Sequence, residues 1–111
     1  MVCFWQIAAT KLSSILTIRS GCIASRNKSH TLETISKLKS ESGNDQIEFI
    51  ELHLDSLSSV KQAANELLSK DVPIHFLINN AGVAGNRSLS QDGFEITFAT
   101  NHLGHFLWTS L

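Results

Sequence analysis

Three groups of polar or small residues stand where apolar segments end, and their types suit contact with a planar, hydroxyl-bearing ligand. Arg26 follows the apolar run through Ile23 and Ala24, Asp55 closes the run that begins at Ile47, and Asn79-Asn80-Ala81-Gly82 closes "IHFLI". Open parallel sheets receive ligands beyond the carboxyl ends of their strands, where all three groups fall if those runs are strands. Small residues at Ala81 and Gly82 let backbone approach a flat ligand where a larger Cβ would collide. The amides of Asn79 and Asn80 both donate and accept, so they can tie neighbouring loops while facing a sugar. By residue type alone each has a plainer use. Arg26 serves as a solvated charge, Asp55 as the cap of the next helix, and Asn79 and Asn80 as turn residues. Asn101 serves equally as a surface polar residue of a helix. His102 and His105, at i and i+3, share one side of a helix, yet no Cys or carboxylate nearby completes a ligand set. Packing or surface roles are the better reading, and no metal site is expected.

The elements that must position these residues are readable from periodicity. Leu32, Ile35 and Leu38 recur at helical spacing, with Ser29 as the expected N-cap and Gly43-Asn44 as the stop. "IEFIELHLD" reads as a strand ending near Asp55. Leu57, Val60, Ala63, Ala64, Leu67 and Leu68 mark one helical face, from a cap at Ser56 or Ser58 to Lys70. Pro73 punctuates, and "IHFLIN" reads as a short strand buried on both faces. After the polar loop "GNRSLSQ", Asp92 and Glu95 form an expected capping box, with Asp92 as N-cap, opening a helix that runs to Leu111. Strands alternating with helices over short connections define an α/β fold with a parallel sheet.

Composition excludes several function classes. In 111 residues, 42% are hydrophobic and 17% charged, an ordinary globular balance. A net charge of -1 gives no basic patch for nucleic acid. Two cysteines, Cys3 and Cys22, are too few for a disulfide framework and suit a reducing, cytoplasmic setting. The opening "MVCFWQIAATKLSSILTI" has no basic region before its apolar run, and Lys11, Thr10, Ser13 and Ser14 interrupt it. It reads neither as a cleavable signal nor as a membrane span, with membrane association the alternative. The N-x-S triplets at Asn27 and Asn86 matter only in a secreted chain.

Four short strings fall in register along the chain: "ASRN" at a possible strand over 23–26, "LHLD" ending at Asp55, "LINNAG" ending at Gly82, and "TNHLGHF" in the last helix. Together they resemble the short-chain dehydrogenase/reductase family, in particular its retinol-dehydrogenase-like members, over residues 21–111. The resemblance implies an incomplete Rossmann-type domain, a doubly wound parallel sheet with helices on both faces, over 21–111. Residues 1–20 are then a non-family segment. It further implies that Arg26 faces an adenosine 2′-phosphate, favouring NADP over NAD, which would meet an acidic residue there. Asp55 would meet the adenine amino group, with Leu54 and Ser56 along the same edge. Asn79, Asn80, Ala81 and Gly82 would lie along the cofactor's ribose. Asn101 matches the helix asparagine of the family's catalytic tetrad, which shapes the helix and helps hold a water leading to a lysine. Intact relatives interconvert alcohols and carbonyls on small lipophilic substrates, and the last helix is often a dimer contact.

Two family parts are not found. The glycine-rich turn should precede Arg26 by roughly 30 residues with its strand, yet the only earlier glycine is Gly21. The expected consequence is a gap of one strand in the middle of the sheet, which residues 2–8 could fill although nothing in the sequence fixes their register. The family's proton donor is a tyrosine four residues before a lysine, and this chain contains no tyrosine. The expectation is a family fragment inactive by itself. The alternatives are a non-enzymatic remnant or module that pairs with a full-length relative, and a longer chain whose continuation past Leu111 supplies the Tyr-x-x-x-Lys.

Overall fold

A computed structural model of the protein describes residues 2–5, 20–85 and 87–111. Its contacts group into two units, one of residues 1–51 and 72–80, the other of 52–71 and 81–111.

The first unit is a four-stranded parallel sheet with one helix. Its strands are β1 (Val2–Trp5), β2 (Gly21–Ser25), β3 (Ile47–Glu51) and β4 (Phe76–Ile78), in the spatial order β3-β2-β1-β4. The expected gap is therefore corrected. Val2–Trp5 sits between β2 and β4, with Val2 opposite both Gly21 and Phe76, and Phe4 opposite both Ile23 and Ile78. With β1 on one side and β3 on the other, β2 has both edges paired and is buried along its whole length. Its apolar run through Cys22, Ile23 and Ala24 is what a central parallel strand requires.

Helix α1 (Lys28–Ser42) packs on β2 and β3 within this unit. Its cap is Asn27 rather than Ser29: the His30 N–H donates to Asn27 Oδ1 at 3.1 Å. Asn27 sits one residue before the helix and leaves Ser29 inside the first turn, which corrects the expected start. Gly43 ends the helix as expected, at φ 66°, with its N–H on the Lys39 carbonyl at 2.9 Å. Of the expected apolar stripe only Ile35 is buried, while Leu38 is half-buried and Leu32 exposed. Strand β4 departs further, because it is three residues long and Phe76 is 66% exposed. It lies at the edge of the sheet, with Phe76 and Ile78 exposed and Leu77 half-buried, so the two-face burial expected of "IHFLIN" is not met.

The second unit is helical. The chain turns after β3, the Ser56 N–H donating to the His53 carbonyl at 3.2 Å, so Leu52–Asp55 is a turn and not the end of a strand. Ser56 caps α2 (Leu57–Leu68), accepting from the Ser59 N–H. The face predicted from spacing is buried at Val60, Ala63, Ala64 and Leu67, whereas Leu57 is half-buried and Leu68, near the end of the helix, is exposed. Val60 and Leu67 each contribute about 1.5–3 kcal/mol of transfer free energy, and the two alanines less. A loop leads to one continuous helical segment made of α3 (Ile96–Phe98), a π-helical stretch (Ala99–Leu103) and α4 (Gly104–Ser110). α4 packs on α2, burying Gly104, His105 and Trp108.

The expected capping box is corrected. Glu95, not Asp92, is the N-cap, and its carboxylate accepts from Thr97 N at 3.0 Å and Phe98 N at 2.8 Å. Asp92 Oδ2 instead accepts from the Leu57 N–H at 2.8 Å, at the start of α2. Asp92 thus satisfies an orphan donor of a helix far away in sequence.

Candidate functional site

In the sheet unit, Arg26 directly follows β2 and Asn79 and Asn80 directly follow β4, all three exposed. Because the strands are parallel, these positions share the carboxyl edge of the sheet. One strand, β1, lies between them, so they stand about 10 Å apart at the usual strand spacing. Asn27 donates its backbone N–H to Ser25 Oγ at 3.2 Å, closing a tight turn at Arg26 and leaving its guanidinium side chain outside the sheet.

The helical unit holds the rest. Asn101 lies within the π-helical stretch, and its amide pairs with one residue at two points. The Val83 N–H donates to Asn101 Oδ1 at 2.8 Å, and Asn101 Nδ2 donates to the Val83 carbonyl at 2.8 Å. A side-chain amide here does what a neighbouring strand does for a backbone. One turn further, His105 Nε2 bonds the Ala81 carbonyl at 2.8 Å. A carbonyl only accepts, so Nε2 carries the proton. Nδ1 is buried without a hydrogen-bond partner among the described residues. Gly82, between the two held residues, is exposed, and a Cβ placed on it would lie 3.4 Å from Asn101 Oδ1, an ordinary contact.

Gly104 explains how the helix comes so close. A Cβ on it would lie 2.9 Å from Leu54 Cβ and 3.0 Å from Leu54 Cα, and nearer still to the Leu54 carbonyl oxygen. Only glycine allows that approach of helix backbone to turn backbone. The Gly104 N–H reaches the Ala99 carbonyl five residues back, the widened bond of a π turn. Such turns are frequent at functional sites. Leu54 is buried, with its Cβ against Gly104, and Asp55 is half-buried with its carbonyl accepting from the Gln91 N–H at 3.2 Å.

Ala81, Gly82 and Asn101 are thus brought together, and Leu54 is locked beside Gly104. Arg26, Asn79 and Asn80 belong to the sheet unit. Sequence reasoning did not single out His105, Gly104 or Val83 for the site. The signal was present in "TNHLGHF", where Asn101 and His105 are four apart and therefore on one helix face. Pairing His102 with His105 missed it. His102 is exposed and stacked between Phe98 and Phe106, with ring centroids 5.2 and 6.4 Å away.

A parallel α/β sheet in the order β3-β2-β1-β4, with polar and small residues at its carboxyl edge, defines the nucleotide-binding class of α/β fold. Residues 18–111 match the family model described as short chain dehydrogenase. Human polyprenol dehydrogenase is 43% identical over 90 residues, covering 80% of this chain and 27% of the relative. The crystal structure of an uncharacterized protein from Mycobacterium Paratuberculosis superposes with TM-score 0.72 at 29% identity, over 97% of this chain and 40% of that one. An alcohol dehydrogenase from the archaeon Thermococcus sibiricus, complexed with 5-hydroxy-NADP, superposes with TM-score 0.68 over 82% of this chain and 40% of that one. At 19% identity that likeness is one of fold. The chain belongs to the short-chain dehydrogenase/reductase family. It spans 27% to 29% of the length of the first curated relatives it matches.

Proposed function

We propose that the chain is the cofactor-side part of an NADP-dependent alcohol/carbonyl oxidoreductase, and that these 111 residues do not turn substrate over by themselves. The observation that carries the reading is the Ala81–Val83 segment, held at three backbone atoms by Asn101 and His105. In this reading Asn79, Asn80, Ala81 and Gly82 form the wall along the cofactor's ribose. Asp55 meets the adenine edge with Leu54 behind it, and Arg26 takes the 2′-phosphate. A guanidinium at the end of β2 suits a phosphate and not a bare ribose hydroxyl, which supports NADP over NAD.

The residues present fit the adenosine end of such a cofactor better than its centre. Pyrophosphate recognition needs close backbone approach at a glycine-rich turn, and residues 6–20, between β1 and β2, contain no glycine. Binding is accordingly weak. When bound, the nicotinamide would supply or accept the hydride; the tyrosine that would move the matching proton is not among these residues.

The substrate class is a small lipophilic alcohol or carbonyl; the polyprenol dehydrogenase relative supports the lipophilic alcohol and not the small size. A cytoplasmic location accompanies the reading, with membrane association the alternative; among the described residues no helix is long and apolar enough to cross a membrane. Pairing with a full-length relative through the last helix is a second reading, favoured by the exposed stack of Phe98, His102 and Phe106. Incubating the purified chain with NADPH and a panel of retinoids, steroids and simple carbonyls tests the central reading. No turnover is expected, and reproducible turnover overturns the inactivity.

A further inference from the structure

His105 is more than nine-tenths buried, yet only one of its ring nitrogens is used. Nε2 holds the Ala81 carbonyl at 2.8 Å and Nδ1 has no partner among the described residues. A buried polar atom left unpaired is unfavourable, and a leucine or phenylalanine would fill the same volume without one. The one thing that a histidine does here and an apolar residue cannot is donate to Ala81. That bond has a directional consequence. The Ala81 carbonyl and the Gly82 N–H belong to one planar trans peptide and point in opposite directions. Holding the carbonyl on the helix therefore turns the Gly82 N–H away from the helix. Gly82 is exposed, and no hydrogen bond among the described residues uses its N–H.

We propose that His105 is a positioning residue: it fixes the Ala81–Gly82 peptide plane so that the Gly82 N–H is presented outward as a donor to a hydroxyl-bearing ligand. Asn101 cannot do this, because its two bonds act on Val83, beyond the peptide in question. The ligand's identity as the ribose of a nicotinamide dinucleotide rests on the function proposed above, whereas the orientation of the peptide does not.

Three measurements on the full chain test it. In the unaltered protein, imidazole 15N spectra report the tautomer, and a proton on Nε2 with a bare Nδ1 is expected; the opposite tautomer overturns the proposal. His105→Gln keeps a donor at similar reach, and His105→Leu removes it while filling the space. Backbone hydrogen exchange over residues 81–84 should rise about tenfold in His105→Leu and stay near the parent value in His105→Gln. NADPH affinity should fall about fivefold in His105→Leu, the worth of one hydrogen bond, and be restored in His105→Gln. Equal exchange in all three proteins, or a glutamine variant that behaves like the leucine variant, refutes the positioning role. If the parent chain binds no NADPH while the exchange pattern holds, the positioning role stands and the cofactor reading falls.

Discussion

Replacing Gly104 by alanine adds a single methyl group where the helix backbone meets Leu54. That methyl would stand 2.9 Å from Leu54 Cβ and 3.0 Å from Leu54 Cα, with the Leu54 carbonyl oxygen closer again. Carbon atoms rest at about 3.5–4.0 Å, so the turn or the helix must move by at least half an ångström or so. The obstacle is largely backbone, which no rotamer change relieves. Forcing an extra methyl into a filled site costs about 1–3 kcal/mol and sometimes more. Alanine returns up to about 1 kcal/mol through its better helix propensity. The net expectation is a loss of about 2 kcal/mol, or roughly 10 °C in Tm for a chain of this size. The displacement also reaches Asp55 and the Ser56 cap, which follow Leu54 directly. Urea unfolding followed by circular dichroism gives the stability, and emission of the buried Trp108, one turn beyond Gly104, read with Trp5 replaced by phenylalanine in both chains, gives the local packing. A Gly104→Ala chain as stable as its parent, with unchanged Trp108 emission, would refute the close-approach argument.

Two further predictions concern the segment around the same helix. The Thr97 and Phe98 N–H groups hold the Glu95 carboxyl below its ordinary value of 4.5. A depressed carboxylate adds stability at pH values above that ordinary range and loses it as pH falls through the lower folded-state value. Stability should thus decline in acid below about pH 4.5, and Glu95→Gln should flatten that decline in unfolding curves taken across the acid range. Asn101→Ala removes both bonds to Val83, and because the site is exposed water replaces part of them. A loss of about 1 kcal/mol is expected, read by denaturant melts, together with faster exchange of the Val83 N–H. An unchanged Val83 N–H would contradict the two-point amide pairing.

The sequence made the alternation of parallel strands with helices and most of the α2 face readable because both follow from local pattern. A run such as Gly21–Ser25, apolar on both faces, belongs in the middle of a parallel sheet, and Val60, Ala63, Ala64 and Leu67 repeat at helical spacing. Gly43 was legible for a conformational reason, its positive φ. What escaped was decided by partners distant in sequence. Val2–Trp5 acquires its register only from β2 and β4. Asp92 and Glu95 are both competent caps by residue type, and the Leu57 N–H, 35 residues from Asp92, decides between them. β4 reads as buried from its apolar side chains, but burial depends on what covers it, and Phe76 and Ile78 remain exposed. For the site, Asn101 was visible through its string, whereas the role of His105 required seeing the Ala81 carbonyl across from it.

The central claim is that this chain presents the adenosine wall of an NADP site, with Arg26 at the 2′-phosphate. Titrating the parent chain and Arg26→Ala with NADPH and with NADH, followed by nicotinamide fluorescence, tests it most directly. The account predicts that the parent binds NADPH roughly tenfold more tightly than NADH, the worth of one charge-assisted contact, and that Arg26→Ala abolishes the difference while leaving NADH unchanged. Equal affinity of the parent for the two nucleotides, or an equal loss of both in Arg26→Ala, would contradict it.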